Sequence, residues 1–224
     1  SNLEGTTSYN GTVLDTALNF TVNKAVATGN AKVKGFFDNK NVLLITNGPS
    51  TQKYAATIER YIKNVKPVVI SINIVDCISQ DLIDYYVISH NSKFLSDALK
   101  YTQLNKPLIL PKHRFSASEL SELNELECLD YGIEVVNGKF AINGTYVTVP
   151  YDTTSAYILG VMLESNIASI HTVGFDGYSR DDIRQQEMID IISAYKSYSH
   201  SKNIISLTPT SYPTLKGSIF APIT

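Results

Sequence analysis

The sequence is poor in the features that usually announce a function. Only two cysteines, Cys77 and Cys128, stand among 224 residues, far apart and in no C-x-x-C pair. A structural zinc site therefore has no ligand set to build on, no metal is expected in that role, and two free thiols favour a reducing cytoplasm. Charge is nearly balanced, with 19 Lys+Arg against 21 Asp+Glu and a net of -2. Nucleic-acid phosphates call for a basic face, and no Lys/Arg cluster supplies one, so no nucleic-acid partner is expected. The chain has no run of 18 apolar residues and no charged-then-apolar leader, so neither a membrane span nor a secretion signal is expected. The Asn-x-Thr sequons at Asn10, Asn19 and Asn143 carry little weight without such a leader. Missing too are G-x-G-x-x-G, G-x-x-x-x-G-K-[ST], G-x-S-x-G and H-E-x-x-H. Their absence argues against the common dinucleotide, P-loop, hydrolase and zinc-protease patterns. The chain opens on Ser1-Asn2-Leu3 rather than on Met, and the expectation is a piece of a longer protein.

What is present is a globular composition, 43% hydrophobic and 18% charged, long enough for one large domain or two small ones. Residues 1–11 are polar and rich in Gly and Asn, and read as a tail. Apolar residues then recur at helical spacing through Leu14, Leu18, Val22 and Val26. From residue 42 short apolar runs alternate with helical patterns. Strands are expected over 42–45, 68–72, 85–88, 108–110, 170–173 and 204–207. Helices are expected over 54–65, 94–101, 116–129, 153–166 and 184–199, the third opened by a Ser116-x-x-Glu119 capping box. Residues 153–166, TTSAYILGVMLESN, are apolar nearly all round and predict a buried helix. Residues 133–149 carry two Asn-Gly turns between β-type runs and predict a small meander. The organisation expected is a linker and N-terminal helix over 1–38, an α/β domain over 39–215 with the meander inserted at about 131–150, and a tail over 216–224. Such alternation predicts a mainly parallel sheet with helices on both faces.

Ligands in such sheets bind beyond the C-terminal strand ends. The segments expected there are Asn47-Gly48-Pro49-Ser50, Asn73, Ser89-His90-Asn91, Gly174-Phe175-Asp176-Gly177 and Thr208-Pro209-Thr210-Ser211. The helix start Asp152-Thr153-Thr154-Ser155 joins them if it packs on the same edge. These positions bear hydroxyls and amides and almost no Lys or Arg. They suit a phosphate or ribose held by backbone N–H groups and a helix dipole. Each also has a purely structural reading, as a turn or a helix cap. Asp176, between two glycines, would bind a ribose hydroxyl or a Mg²⁺ ion, or cap the next turn. His90 and Asp176 are the candidate catalytic groups. His113, His171 and His200 read as structural.

LLITNGPS, VISINI, DYYVISHNSKF, TTSAYILGVMLESNIASIHTVGFDGY and IISLTPTSY, in that order, resemble one superfamily over roughly residues 40–213. It comprises the bacterial lipo-oligosaccharide sialyltransferases and the hydroxymethylpterin diphosphokinase-like domains. The GFDGY and SLTPT segments are most similar to the C-terminal domain attached to aldolases of the 4-hydroxy-2-oxovalerate and hydroxymethylglutaryl-lyase type, whose genes accompany surface-polysaccharide clusters. The resemblance implies a three-layer Rossmann-like fold and a nucleotide or nucleotide-sugar ligand such as CMP. It implies contacts from Asn47, Gly48, Ser50, Asn73, Thr154 and Ser155. It further implies an aldolase barrel N-terminal in the same parent chain, and a homo-oligomer is compatible with it. The alternative is a free-standing glycosyltransferase using a CMP-sugar, with His90 or Asp176 as base. The helix start here reads Thr154-Ser155-Ala156 where the sialyltransferases have Thr-Ser-Gly, and the stretch after Tyr178 lacks their histidine base.

Overall fold

The computed structural model describes residues 28–123 and 125–221. The polar tail, the helix expected over 13–26 and the sequons at Asn10 and Asn19 lie outside the described residues. The strands are β1 Asn41–Ile45, β2 Val68–Ile72, β3 Tyr85–Val87, β4 Leu108–Leu110, β5 Cys128–Asp130, β6 Gly132–Val135, β7 Ala141–Ile142, β8 Tyr146–Val149, β9 Ser169–Val173, β10 Ile204–Ser206 and β11 Leu215–Lys216. The helices are α1 Pro49–Lys53, α2 Ala55–Val65, α3 Asn91–Leu104, α4 Ala117–Ser121, α5 Thr154–Leu163 and α6 Ile183–Lys196. Eight strands form one sheet in the order β11-β10-β9-β1-β2-β3-β4-β5, every pair parallel. This is the α/β, Rossmann-like arrangement the alternation predicts.

A parallel sheet covered on both faces needs strands apolar on both sides, and β1 shows how. Val42 and Leu44 enter one core layer with α5 and α6, while Leu43 and Ile45 enter the other with Ile58 and Ile62 of α2 and Tyr101 of α3. α5 is buried from Ala156 through Leu163 because it is covered twice. The main sheet lies on one side and the small sheet of β6, β8 and β7 on the other. A Cβ on Gly160 would stand 2.6 Å from Val147 Cγ2, so the helix and β8 meet too closely for any side chain at that position.

Several expectations change. The small sheet forms where the meander is expected, but its order is β6-β8-β7, with β6 parallel to β8 and only β7 and β8 antiparallel. Asn143-Gly144 closes that hairpin, with Asn143 N–H donating to the Tyr146 carbonyl and Gly144 at φ 83°. Asn137-Gly138 turns the chain between strands that do not pair. The helix expected over 116–129 stops at Ser121. Its cap is real, the Glu119 N–H donating to Ser116 Oγ at 3.2 Å, but Leu120, Leu123 and Leu126 are joined by i→i+3 turn bonds. The chain then enters β5, a strand the sequence reading places inside that helix. β11 is a further strand not anticipated, and the Ile219 N–H beyond it bonds to the Leu207 carbonyl. Packing also extends N-terminal to residue 39, since Val33 and Phe37 are fully buried.

Candidate functional site at the β1–β9 switch point

From β1 the chain winds outward through β2, β3, β4 and β5; from β9 it winds the other way through β10 and β11. β1 and β9 are thus neighbours whose continuations diverge, and a crevice opens above their C-terminal ends. Two loops meet there. After β1, Thr46-Asn47-Gly48 leads into α1. After β9, Gly174 at φ 80° and Gly177 at φ 95° bracket Phe175-Asp176.

The loops clasp each other. Thr46 Oγ1 donates to the Gly174 carbonyl at 2.6 Å, and Thr51 Oγ1 donates to the Thr46 carbonyl at 2.6 Å. Asp176 Oδ2 accepts from the Ser50 N–H at 3.1 Å and from Ser50 Oγ at 2.6 Å. Asp176 Oδ1 is buried without a hydrogen-bond partner among the described residues. It sits against Gly48, where an added Cβ would lie 2.5 Å from it and 2.1 Å from the Gly174 carbonyl oxygen. Gly48 itself has φ −75°, so glycine is required there by the close approach rather than by the dihedral.

Over the clasp lies a cavity of about 340 Å³. Asn47, Gly48, Ser155 and Asp176 line it, together with Tyr178, Met188 and Tyr212. Burial, with smaller contributions from charges nearby, pushes the Tyr212 phenol up to about 12, so it remains a hydrogen-bond donor at neutral pH. Among the described residues neither Lys nor Arg lines the cavity. Ser155 arrives from the first turn of α5, which is capped by Thr153: its Oγ1 accepts from the Ala156 N–H at 3.1 Å.

A second polar group adjoins α5. Ser89 and Thr154 hydroxyls pair at 2.7 Å. Arg114 Nη1 donates to Asp152 Oδ1 at 2.8 Å and to the Ser89 carbonyl at 3.2 Å. His90 Nε2 lies 3.1 Å from the Asp152 carbonyl oxygen and 3.7 Å from Asp152 Oδ1. These residues follow β3 and β4 and precede α5, so they share the rim without lining the cavity.

The rim thus gathers most of the expected residues in different roles. Asn47, Gly48, Ser155 and Asp176 face the cavity. Ser50 is buried and gives both of its donors to Asp176, so it works through that carboxylate. Thr154 is held by Ser89. Asn73, at φ 63°, donates its N–H to the Val87 carbonyl and keeps a buried, unpartnered Oδ1; it does not line the cavity. The other histidines lie elsewhere. His113 Nε2 accepts from the Ile133 N–H at 3.1 Å, and burial followed by the Arg114 charge lowers its pKa to about 4. His171 faces a separate cavity between one face of the sheet and α2, beside Asn41, Ser169 and Tyr61. His200 Nε2 bonds to the Leu163 carbonyl at the C-terminal end of α5.

Sequence reasoning missed three parts of the rim. Arg114 returns to it because a 3-10 turn, Lys112–Arg114, follows β4 directly; the PKHR run was the available signal. Tyr178 and Tyr212 stand within GFDGY and SLTPTSY, where only the small polar residues drew attention.

A Mg²⁺ ion at Asp176 would find one uncommitted carboxylate oxygen. The described residues hold no group of three or more His, Cys, Asp or Glu positioned for a metal. Other ligands would have to come from substrate and water.

The fold and the crevice define a Rossmann-like α/β protein with a switch-point cavity. Among the described residues no helix is long and apolar enough to cross a membrane. No protein-family model matches the chain, and no curated protein matches it.

Proposed function

We propose that the chain is a nucleotide- or nucleotide-sugar-binding domain whose ligand occupies the crevice above β1 and β9. The observation that carries this reading is the cavity itself. It sits at the switch point, is walled by small polar groups and tyrosines, and among the described residues is lined by neither Lys nor Arg. The clasp gives the ligand a polarity. The Ser50 N–H at the start of α1 already holds a carboxylate, so a phosphate there would meet the Asp176 charge. The first turn of α5, at Thr154 and Ser155, carries no such carboxylate bond, and a phosphate is better placed there. The ribose or sugar then lies toward Asn47 and Asp176.

Binding without chemistry is the favoured role. Asp176 holds Ser50 through Oδ2 and keeps Oδ1 buried against Gly48, and His90 is turned to Asp152 outside the cavity, so neither presents an accessible general base. The similarity of GFDGY and SLTPT to aldolase-attached domains supports an accessory domain of an aldolase-type lyase in surface-polysaccharide biosynthesis. Calorimetric titration of the chain with CMP, ATP and CMP- or UDP-sugars tests the binding claim. Saturable one-to-one binding of at least one of them is expected, and no binding by any overturns it. Donor hydrolysis or transfer that collapses in Asp176→Ala while His171→Ala stays active would instead favour the glycosyltransferase reading.

A further inference from the structure

Tyr178 is an exposed aromatic with no core to fill. It is 42% exposed, yet it lines the switch-point cavity. Its position is built rather than incidental. Its N–H donates to Gln185 Oε1 at 2.8 Å, and Gln185 Nε2 in turn donates to Ser211 Oγ at 3.1 Å. Arg184 stands over one face of the ring, its guanidinium 4.1 Å from the ring centroid, and is not among the residues lining the cavity. Arg184 is itself held by Asp182, through Nε at 3.0 Å to Oδ1 and Nη2 at 2.6 Å to Oδ2. The loop from Gly177 to α6 thus anchors the Tyr178 backbone through Gln185 and the ring through Arg184, setting an aromatic plate beside the cavity.

A ring has two faces. The cation takes one, which leaves the other for a ligand. A face opposite a guanidinium is poorly suited to a second cation, because the ring quadrupole is already engaged. It remains suited to a neutral planar π-system. The cavity supplies hydrogen-bonding groups on its floor at Asn47 and Asp176, and this plate at its side.

We propose that Tyr178 is the stacking platform for the base of the bound nucleotide, and that affinity in this cavity depends on the base as well as on the sugar phosphate. The inference deepens the nucleotide reading above and rests on it. Such stacking tolerates any base, so a pyrimidine and a purine nucleotide both gain from it.

The experiment compares CMP with ribose 5-phosphate, which lacks the base, on the wild type, Tyr178→Ala and Tyr178→Phe, by calorimetry. Tyr178→Ala is expected to weaken CMP by about tenfold or more, the scale of one base–aromatic stack, and to leave ribose 5-phosphate within about twofold. Tyr178→Phe is expected to keep CMP near the wild-type affinity, because the plate and not the hydroxyl carries the effect. Unchanged CMP affinity in Tyr178→Ala overturns this inference alone, as does an equal loss for both probes or a Phe variant as weak as the Ala variant. A wild-type chain that binds neither CMP nor any other nucleotide overturns the site reading and this inference together. Thermal unfolding of each variant confirms that an exposed position has been changed without loss of the fold.

Discussion

Gly48→Ala should pry apart the clasp on which the site is built. The new Cβ would arrive 2.1 Å from the Gly174 carbonyl oxygen and 2.5 Å from Asp176 Oδ1, the former about 1 Å inside any normal approach of carbon to oxygen. The obstacle includes backbone, so no flexible side chain can swing clear. Two effects compete. Alanine restricts the unfolded chain, and Gly48 has dihedrals that alanine adopts freely, which alone would stabilise by about 0.4–1 kcal/mol. Overpacking against fixed neighbours costs about 1–3 kcal/mol. If the loops separate, the two Ser50 donors lose Asp176, a further loss of about 1.5–3 kcal/mol for each bond to a charged group. The net destabilisation is up to about 2.6 kcal/mol if the loops only strain, and about 3 kcal/mol or more if the clasp opens. Urea unfolding at 25 °C reads it as a lowered midpoint at unchanged slope. Gly138→Ala is the contrast: it has φ 72° and nothing within 4 Å of the added atom, so it costs only backbone strain of about 1–2 kcal/mol. A Gly48→Ala protein as stable as the wild type, or more stable, would refute the steric argument and with it the closeness of the two loops.

Two further outcomes follow from buried polar groups. Tyr131 donates to Glu164 Oε2 at 2.5 Å, and the Gly144 N–H donates to the same oxygen at 2.7 Å, tying the β7–β8 hairpin to the end of α5. Tyr131→Phe removes one of two donors from a buried carboxylate and should cost about 1–3 kcal/mol, read by chemical denaturation; a change below about 0.5 kcal/mol would contradict the tie. His113, lowered to about 4 by burial and then by Arg114, accepts a proton in the unfolded chain near pH 6.5 but resists it when folded. Its effect is absent above about pH 6.5, grows as pH falls, and levels off below about 4, for a loss of at most about 3 kcal/mol. His113→Gln should flatten that part of the stability–pH curve between pH 4 and 7; parallel curves would show that His113 does not carry it.

The alternation of strands and helices was legible because strands such as NVLLI and VVISI are short, largely apolar runs with β-branched residues, bounded by turn residues. SIHTV carries Ser169, His171 and Thr172 and is marked mainly by its β-branched residues and the glycine that follows it. Parallel order and the shared rim follow from that alternation. β5 was hidden because Leu120, Leu123 and Leu126 repeat at a spacing that two successive turns satisfy as well as a helix does. The order of the small sheet was not legible because an Asn-Gly pair marks a turn without saying which strands pair across it. At the site, residue types located the crevice, but the partners of Asp176 were beyond reach of the sequence. Its bond to Ser50 spans 126 positions, and that bond puts the chain's own carboxylate at the start of α1.

The most direct test of the ligand crevice is amide chemical-shift mapping of the chain during titration with CMP and with a CMP-sugar. The account predicts the largest shifts at residues 46–48, at Ser155 and at residues 174–178. Shifts confined to Ser169, His171 and Gly217, which line the separate cavity beside α2, or no shifts at all, would contradict it.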